Sequence, residues 1–339
     1  MSTATTAPEA PGVVRSALAY RPHPRHVPVL ATLALLVAMW SAGALRYENF
    51  SHPQVLLDVF INNGFLLVVG VGMTFVILTG GIDLSVGSVV ALTTVLSASL
   101  LEKQHWNPLL VIATVLLVGT VLGAAMGTMI HVFDVQPFIA TLAGMFLARG
   151  LCYVISLESI PIDDKLFTAL ATKRIPLGGD LSVTWSVVIA LATVAVAAYV
   201  LHQTRFGRTV YAIGGNQQSA LLMGLAVGRT KIAVYAISGL CSALGGVLMA
   251  FYTLSGYSLN AVGMELDAIA AVVIGGTLLT GGVGYVFGTV LGVLVLGLIQ
   301  TLIAFDGTLS SWWTRMFVGA ILFVFVLLQR AVTTRGDTR

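Results

Sequence analysis

Residues 59–78 read VFINNGFLLVVGVGMTFVIL, twenty residues without a charge. An α-helix rises about 1.5 Å per residue, so this run is long enough to cross the roughly 30 Å hydrocarbon core of a bilayer. Its continuation, TGGIDLSVGS (79–88), interrupts the run with two glycines and sets Asp83 and Ser85 ahead of the next apolar stretch. The alternation of apolar run and short break repeats along the chain. Each charge at mid-helix costs about 2.5–3.5 kcal/mol on an insertion scale, so charges mark the boundaries. Ten spans result, near 27–45, 54–78, 84–101, 108–130, 137–157, 183–201, 231–255, 265–279, 284–304 and 312–329. The third and eighth are short or glycine-interrupted, as re-entrant or broken helices are.

Composition agrees. Of 339 residues 57% are hydrophobic and 9% charged, and mean hydropathy is +0.96, against roughly 25% charged residues in soluble domains. This excludes a soluble enzyme, a nucleic-acid binder and a disulfide-stapled secreted module. The fold expected is all-α and polytopic: a cytoplasmic tail over 1–26, a transmembrane body over 27–330 and a cytoplasmic tail over 331–339. The two cysteines, Cys152 and Cys241, lie in apolar stretches and read as small packing residues.

Basic residues set the orientation. Ten of the 17 Lys and Arg fall on the side of the two tails and of loop 202–230. Five fall opposite: Arg46, Lys103, Lys165, Lys173 and Arg174. Both termini are therefore expected in the cytoplasm and loop 158–182 outside, as a docking surface or a connector. In loop 202–230, Gly214-Gly215-Asn216 makes a turn, Asn216 caps a helix start, and Gln217 to Met223 are helix formers up to Gly224. A short helix along the cytoplasmic face is expected there.

Two internal matches point to duplication. Thr79-Gly80-Gly81 with Gly87-Ser88-Val89 parallels Thr280-Gly281-Gly282 with Gly288-Thr289-Val290, six spans later. Gly81-Ile82-Asp83-Leu84 parallels Gly263-Met264-Glu265-Leu266, five spans later, an odd offset that inverts the topology. Glycine ladders 119-123-127 and 284-288-292 let helices approach closely.

The chain carries no Gly-x-x-x-x-Gly-Lys-Ser/Thr, no His-Glu-x-x-His and no Gly-x-Ser-x-Gly. ATP binding through a P-loop, a zinc site and serine hydrolysis are not expected, nor is any cofactor or metal on this chain. Acids at membrane depth are functional candidates by default. Asp83 reads most simply as a helix cap; for Glu265 and Asp267 capping and a place in a pathway stand level. Asn62-Asn63 needs partners in hydrocarbon, through helix-helix hydrogen bonds or a polar pathway. Arg149 is expected to snorkel or pair with a carboxylate, and Trp312-Trp313 to form an interfacial belt rather than a sugar-stacking platform.

With Thr79-Gly-Gly-Ile-Asp-Leu-Ser-Val-Gly-Ser88, Thr204-Arg-Phe-Gly-Arg208, Tyr211-Ala-Ile-Gly-Gly-Asn216, Glu265-Leu-Asp-Ala-Ile-Ala270, Val273-Ile-Gly-Gly-Thr277 and Gly281-Gly-Val-Gly284, residues 50–330 resemble the permease subunits of bacterial ABC importers for monosaccharides, the ribose-type group. Glu158-Ser-Ile-Pro-Ile162 and Phe305-Asp-Gly-Thr-Leu-Ser-Ser-Trp-Trp-Thr314 look most like its galactofuranose branch. The resemblance implies a type II importer-like permease in the inner membrane with a separate cytoplasmic ATP-binding subunit, a second homologous permease chain and a periplasmic sugar-binding protein. Gln218-Ser219-Ala220-x3-Gly224 is then similar to the Glu-Ala-Ala-x3-Gly motif that seats a coupling helix in the ATPase, with Gln for Glu and without the Ile-x-Leu-Pro that should follow. A proton-coupled sugar carrier titrating Asp83 or Asp267 is the alternative.

Overall fold

The computed structural model describes residues 27–308, 310 and 312–337; the 1–26 tail lies outside the described residues. The long helices are α1 (Val27–Arg46), α2 (Pro53–Leu78), α3 (Val86–Ala98), α4 (Pro108–Val132), α5 (Pro137–Ile155), α7 (Trp185–Gln203), α10 (Val227–Thr253), α12 (Val286–Asp306) and α13 (Trp312–Asp337). Shorter ones are α6 (Lys165–Thr172), α8 (Arg205–Gly215), α9 (Gln217–Leu222) and α11 (Met264–Ile274). Among the described residues eight helices are long and apolar enough to cross a membrane, counting α3 with its π-helical extension to Lys103, and Trp312–Leu327 of α13 is a shorter apolar stretch.

Local chemistry explains the boundaries. Pro53, Pro108 and Pro137 stand at the first positions of α2, α4 and α5, where the missing N–H has no intrahelical partner to lose. Asn107 caps α4 by accepting from the Leu109 N–H at 2.9 Å, and Asp164 caps α6 through Leu166 and Phe167.

The helices form a core and a jacket. In α2, α3, α10 and α12, 61 to 83% of the most apolar stretch is buried, against 17 to 28% in α1, α4, α5 and α7. Jacket helices turn an apolar face outward, Val121, Phe146 and Val196 among them, which suits a lipid surround. The ladder 119-123-127 seats α4 on α10. A Cβ at Gly119 would come 2.6 Å from the Gly239 carbonyl, and one at Gly127 would come 2.8 Å from Ile232 Cα. Of the second ladder, Gly288 and Gly292 seat α12 on α11, against the Gly275 backbone and Ala271, while Gly284 precedes α12 and faces Thr277.

The segment expected to span 265–279 is the main departure. Its helix α11 stops at Ile274 after 11 residues, roughly 16 Å, and residues 275–285 continue without a helix. The glycines explain it, since Gly276, Gly281 and Gly282 adopt φ of 94°, 88° and 75°, which a helix cannot continue through. Among the described residues two small sheets also interrupt an otherwise all-α fold. β1 (Ile160–Pro161) pairs antiparallel with β4 (Ser255–Gly256), and β2 (Arg174–Gly178) pairs with β3 (Leu181–Thr184). Both belong to the end of the bundle carrying loop 158–182. That loop is fastened inward by Phe167, fully buried and edge-on to Phe251 at 4.8 Å.

Candidate functional site

Asp83 is fully buried. Its Oδ1 accepts from the Ser85 backbone N–H at 2.9 Å and the Ser85 hydroxyl at 2.6 Å, while Oδ2 accepts from the Ser238 hydroxyl at 2.7 Å. One carboxylate thus closes the turn that starts α3 and ties it to α10. Ser238 stands eleven residues into α10, roughly 16 Å from its start, so the tie lies well inside the bundle.

The other interrupted segment approaches from the opposite end. Past β4 the chain runs inward along α3, where Asn260 donates to the Thr94 hydroxyl at 3.4 Å. It turns at Gly263 (φ 87°) and opens α11 with Glu265 and Asp267 in the first turn. No side chain caps this helix, so the two acids meet its positive end without bonding the free N–H groups. Glu265 packs against α3: a Cβ at Gly87 would overlap its carboxylate and come 2.7 Å from the Ala261 carbonyl. Two helix starts therefore face each other within the bundle and run to opposite ends, each with an acid beside it. These are the stretches paired by the inverted match 81–84 and 263–266.

Asp267 points elsewhere, into a cavity of about 640 Å³ between α2, α11, α12 and α13, lined also by Gln300, Trp312, Thr314 and Arg315. Arg315 stands 5.7 Å over the Trp312 ring. Trp312, expected in an interfacial belt, thus also lines this cavity, whose walls include Leu66, Leu296, Ile303 and Val318 as well. Gln300 and Arg315 belong to no motif the sequence offered, and only the packing of the helices brings them to the cavity. Asn62 and Asn63, two amides expected to need partners in hydrocarbon, are separated by the helical turn of about 100° per residue. Asn62 is exposed and accepts from Tyr252 at 3.4 Å; Asn63 is buried, bonding back to the Val59 carbonyl at 3.0 Å beside Gly297. Arg149 donates to the carbonyls of Ser258 and Asn260, at 2.5 and 2.9 Å, rather than to a carboxylate.

At the far end, loop 202–230 folds as a helical hairpin. Thr204 caps α8 by accepting from Gly207, and Asn216 caps α9 by accepting from Ser219 at 2.8 Å. Helix α8 has no counterpart in the sequence reading, because Gly207, Gly214 and Gly215 disguise it; its Gly207, Val210 and Ile213 recur every three residues on the buried face. Ala220 is fully buried with Ile213 and Val227. Gln218, Ser219 and Gly224 are exposed, Gly224 at φ 74°. Leu221, Leu222 and Met223 are 52, 86 and 66% exposed, an apolar tip beside exposed Arg205, Arg208 and Arg229.

A helical bundle with two interrupted segments meeting inside it and an exposed hairpin at one end is the architecture of a multi-pass membrane protein. Residues 55–326 match the family described as branched-chain amino acid transport system / permease component, and the chain belongs to that family. It is 46% identical to the inner membrane ABC transporter permease protein YjfF of Escherichia coli K12, covering 93% of this chain and 95% of that one. It is 42% identical to the fructose import permease protein FruG of Bifidobacterium longum (92% and 93% covered) and 37% to the ribose import permease protein RbsC of Haemophilus influenzae (89% and 93%). No solved structure matches the chain. The chain is accordingly a ribose-type ABC permease, a transport component close to YjfF.

Proposed function

We propose that this permease carries a neutral monosaccharide, galactofuranose, inward across the bacterial inner membrane, driven by ATP hydrolysed on a separate subunit. The exposed apolar tip Leu221-Leu222-Met223 carries the reading. An apolar patch held out at the water-facing end of a membrane bundle needs a protein partner, and the chain has no P-loop of its own. The hairpin end then faces the cytoplasm, with both termini, and loop 158–182 faces the periplasm, as the basic residues require. In this arrangement Asn216 and Ala220 hold α9 in shape, while Gln218, Ser219, the apolar tip and Gly224 meet the ATPase. A sugar-binding protein docks on the periplasmic side, and a second, different permease chain completes the membrane unit.

The likeness of residues 158–162 and 305–314 to the galactofuranose branch supports this substrate; the relatives named for fructose and ribose set the competing sugars. The cavity of Asp267, Gln300, Trp312, Thr314 and Arg315 supports a sugar, offering hydrogen-bonding groups of both kinds and an aromatic face. Asp83, Ser85 and Glu265 hold the two helix starts in place, with Asn63 in the packing of α2 on α12 and Asn62 beside Tyr252. Membership among ABC permeases sets aside the proton-coupled carrier. Uptake of labelled galactofuranose competed with ribose, fructose and arabinose tests the reading: galactofuranose should compete best, and stronger competition by ribose or fructose overturns the substrate.

A further inference from the structure

The two Thr-Gly-Gly repeats, distant in sequence, are neighbours in space. The Gly282 N–H donates to the Leu78 carbonyl at 2.9 Å, joining the turn after α11 to the end of α2. A Cβ at Gly281 would sit 2.8 Å from the Gly80 nitrogen and 3.1 Å from Gly214 Cα, and one at Gly282 would sit 2.9 Å from the Gly215 nitrogen. A Cβ at Gly214 would overlap both the Leu78 carbonyl and the Gly282 nitrogen. Three pieces of bare backbone therefore meet: the turn at 79–81, the turn at 280–282 and the last turn of α8. Gly80, Gly281 and Gly282 adopt φ of 77°, 88° and 75°, so side chains are excluded there by conformation as well as by space. Tyr211 of α8 adds one more bond, its hydroxyl donating to the Gly284 carbonyl at 2.8 Å.

We propose that this glycine joint is the part by which movement of the α8–α9 hairpin reaches the two interrupted segments. The proposal rests on the reading of the chain as an ATP-driven permease. The hairpin is covalently continuous only with α7 and α10. Through the joint it also grips α2 and the 79–85 segment on one side, and the 275–285 segment between α11 and α12 on the other. Backbone against backbone is a stiff contact, because no side-chain rotamer can absorb a displacement. From Gly81 the chain leads in two residues to Asp83 and its bond to Ser238; from Gly282 it leads back to α11, whose start carries Glu265. Among the described residues, two buried hydroxyls without a hydrogen-bond partner border the joint, Tyr235 Oη beside Gly81 and Thr277 Oγ1 beside Gly284.

Neighbouring glycines make the test sharp. Gly214 and Gly215 both belong to α8, where Ala is the better helix former, but a Cβ at Gly215 meets nothing within 4 Å. Gly214→Ala, Gly215→Ala and Tyr211→Phe are placed in the full assembly with its ATPase, second permease chain and binding protein, in proteoliposomes. Sugar taken up and ATP hydrolysed are measured together. Gly214→Ala should keep the ATPase bound and hydrolysing while uptake per ATP falls by about tenfold or more, the size of effect expected when positioning is lost. Gly215→Ala should match wild type, and Tyr211→Phe, which removes one bond and no volume, should lower uptake per ATP by a smaller factor. An unchanged ratio in Gly214→Ala overturns the joint. If that variant fails to insert, Tyr211→Phe decides alone, and an unchanged ratio there overturns it equally. Absence of ATP-driven uptake in the wild-type assembly overturns the underlying reading instead.

Discussion

Asp83 allows the charge and the hydrogen bonding of a buried acid to be separated. The carboxylate accepts three hydrogen bonds, two from Ser85 and one from Ser238. Asp83→Asn keeps Oδ1 for both Ser85 bonds and turns an amide toward the Ser238 hydroxyl, which accepts instead of donating. The bond count is preserved, so the stability change should stay within about 1 kcal/mol. Asp83→Ala removes both acceptor oxygens and with them all three bonds. The two hydroxyls can turn to nearby carbonyls, but the Ser85 N–H at the start of α3 has no such freedom and is out of reach of water. One fully unsatisfied donor and two weakened hydroxyls amount to about 2–5 kcal/mol, a large share of the margin by which a chain stays folded. The assays are the amount inserted in membranes, thermal unfolding in detergent and ATP-driven sugar uptake. Asp83→Asn should insert and transport; Asp83→Ala should be lost from the membrane or melt early. An Asp83→Asn protein that inserts and melts as wild type yet fails to accumulate sugar would refute the structural role and restore a titrating carboxylate. Collapse of uptake under a protonophore, with ATP maintained, would refute it independently.

Other outcomes follow from the same geometry. Leu222→Ser, at an 86% exposed position, should leave the permease folded but weaken ATPase binding, whereas Ala220→Asp puts a charge among Ile213 and Val227 and should unfold the hairpin; protease nicking at 216–224 distinguishes the two. Trp312→Ala and Arg315→Gln should raise the KM for sugar with little change in kcat if the cavity meets the sugar, and unaltered KM in both removes it from the pathway. Gly123→Val, whose side chain would overlap the Tyr235 carbonyl on α10, should cost about 1–3 kcal/mol or more by overpacking, read as a lower melting temperature. Cysteines at the exposed positions Ser159 and Gln217, in a chain lacking Cys152 and Cys241, should label from opposite faces of intact cells, and labelling from one face would refute the orientation.

Hydropathy and punctuation alone determined that this chain is a membrane bundle and where its long spans run. A span of some twenty apolar residues is a local property, written in consecutive residues. The same holds for the Asn216 cap, set by the residues next to it, and for glycines 119, 123 and 127, which share one face of α4. What the sequence could not determine is where non-adjacent breaks meet. Asp83 was legible as a helix start, but its bond to Ser238, 155 residues away, depends on how α10 lies against α3. The repeats at 79–81 and 280–282 were visible as a likeness, yet nothing local told that they touch each other and Gly214. Helix α8 was hidden because intrinsic propensity counts its glycines against a helix, while tertiary contact requires them there: backbone can approach backbone only where no Cβ stands between. The Asp267–Arg315 cavity belongs to the same class, its polar residues drawn from α11, α12 and α13 with no spacing in common. Spans are decided along the chain, where each residue meets the bilayer by itself; sites are decided across it, where packing chooses which breaks become neighbours.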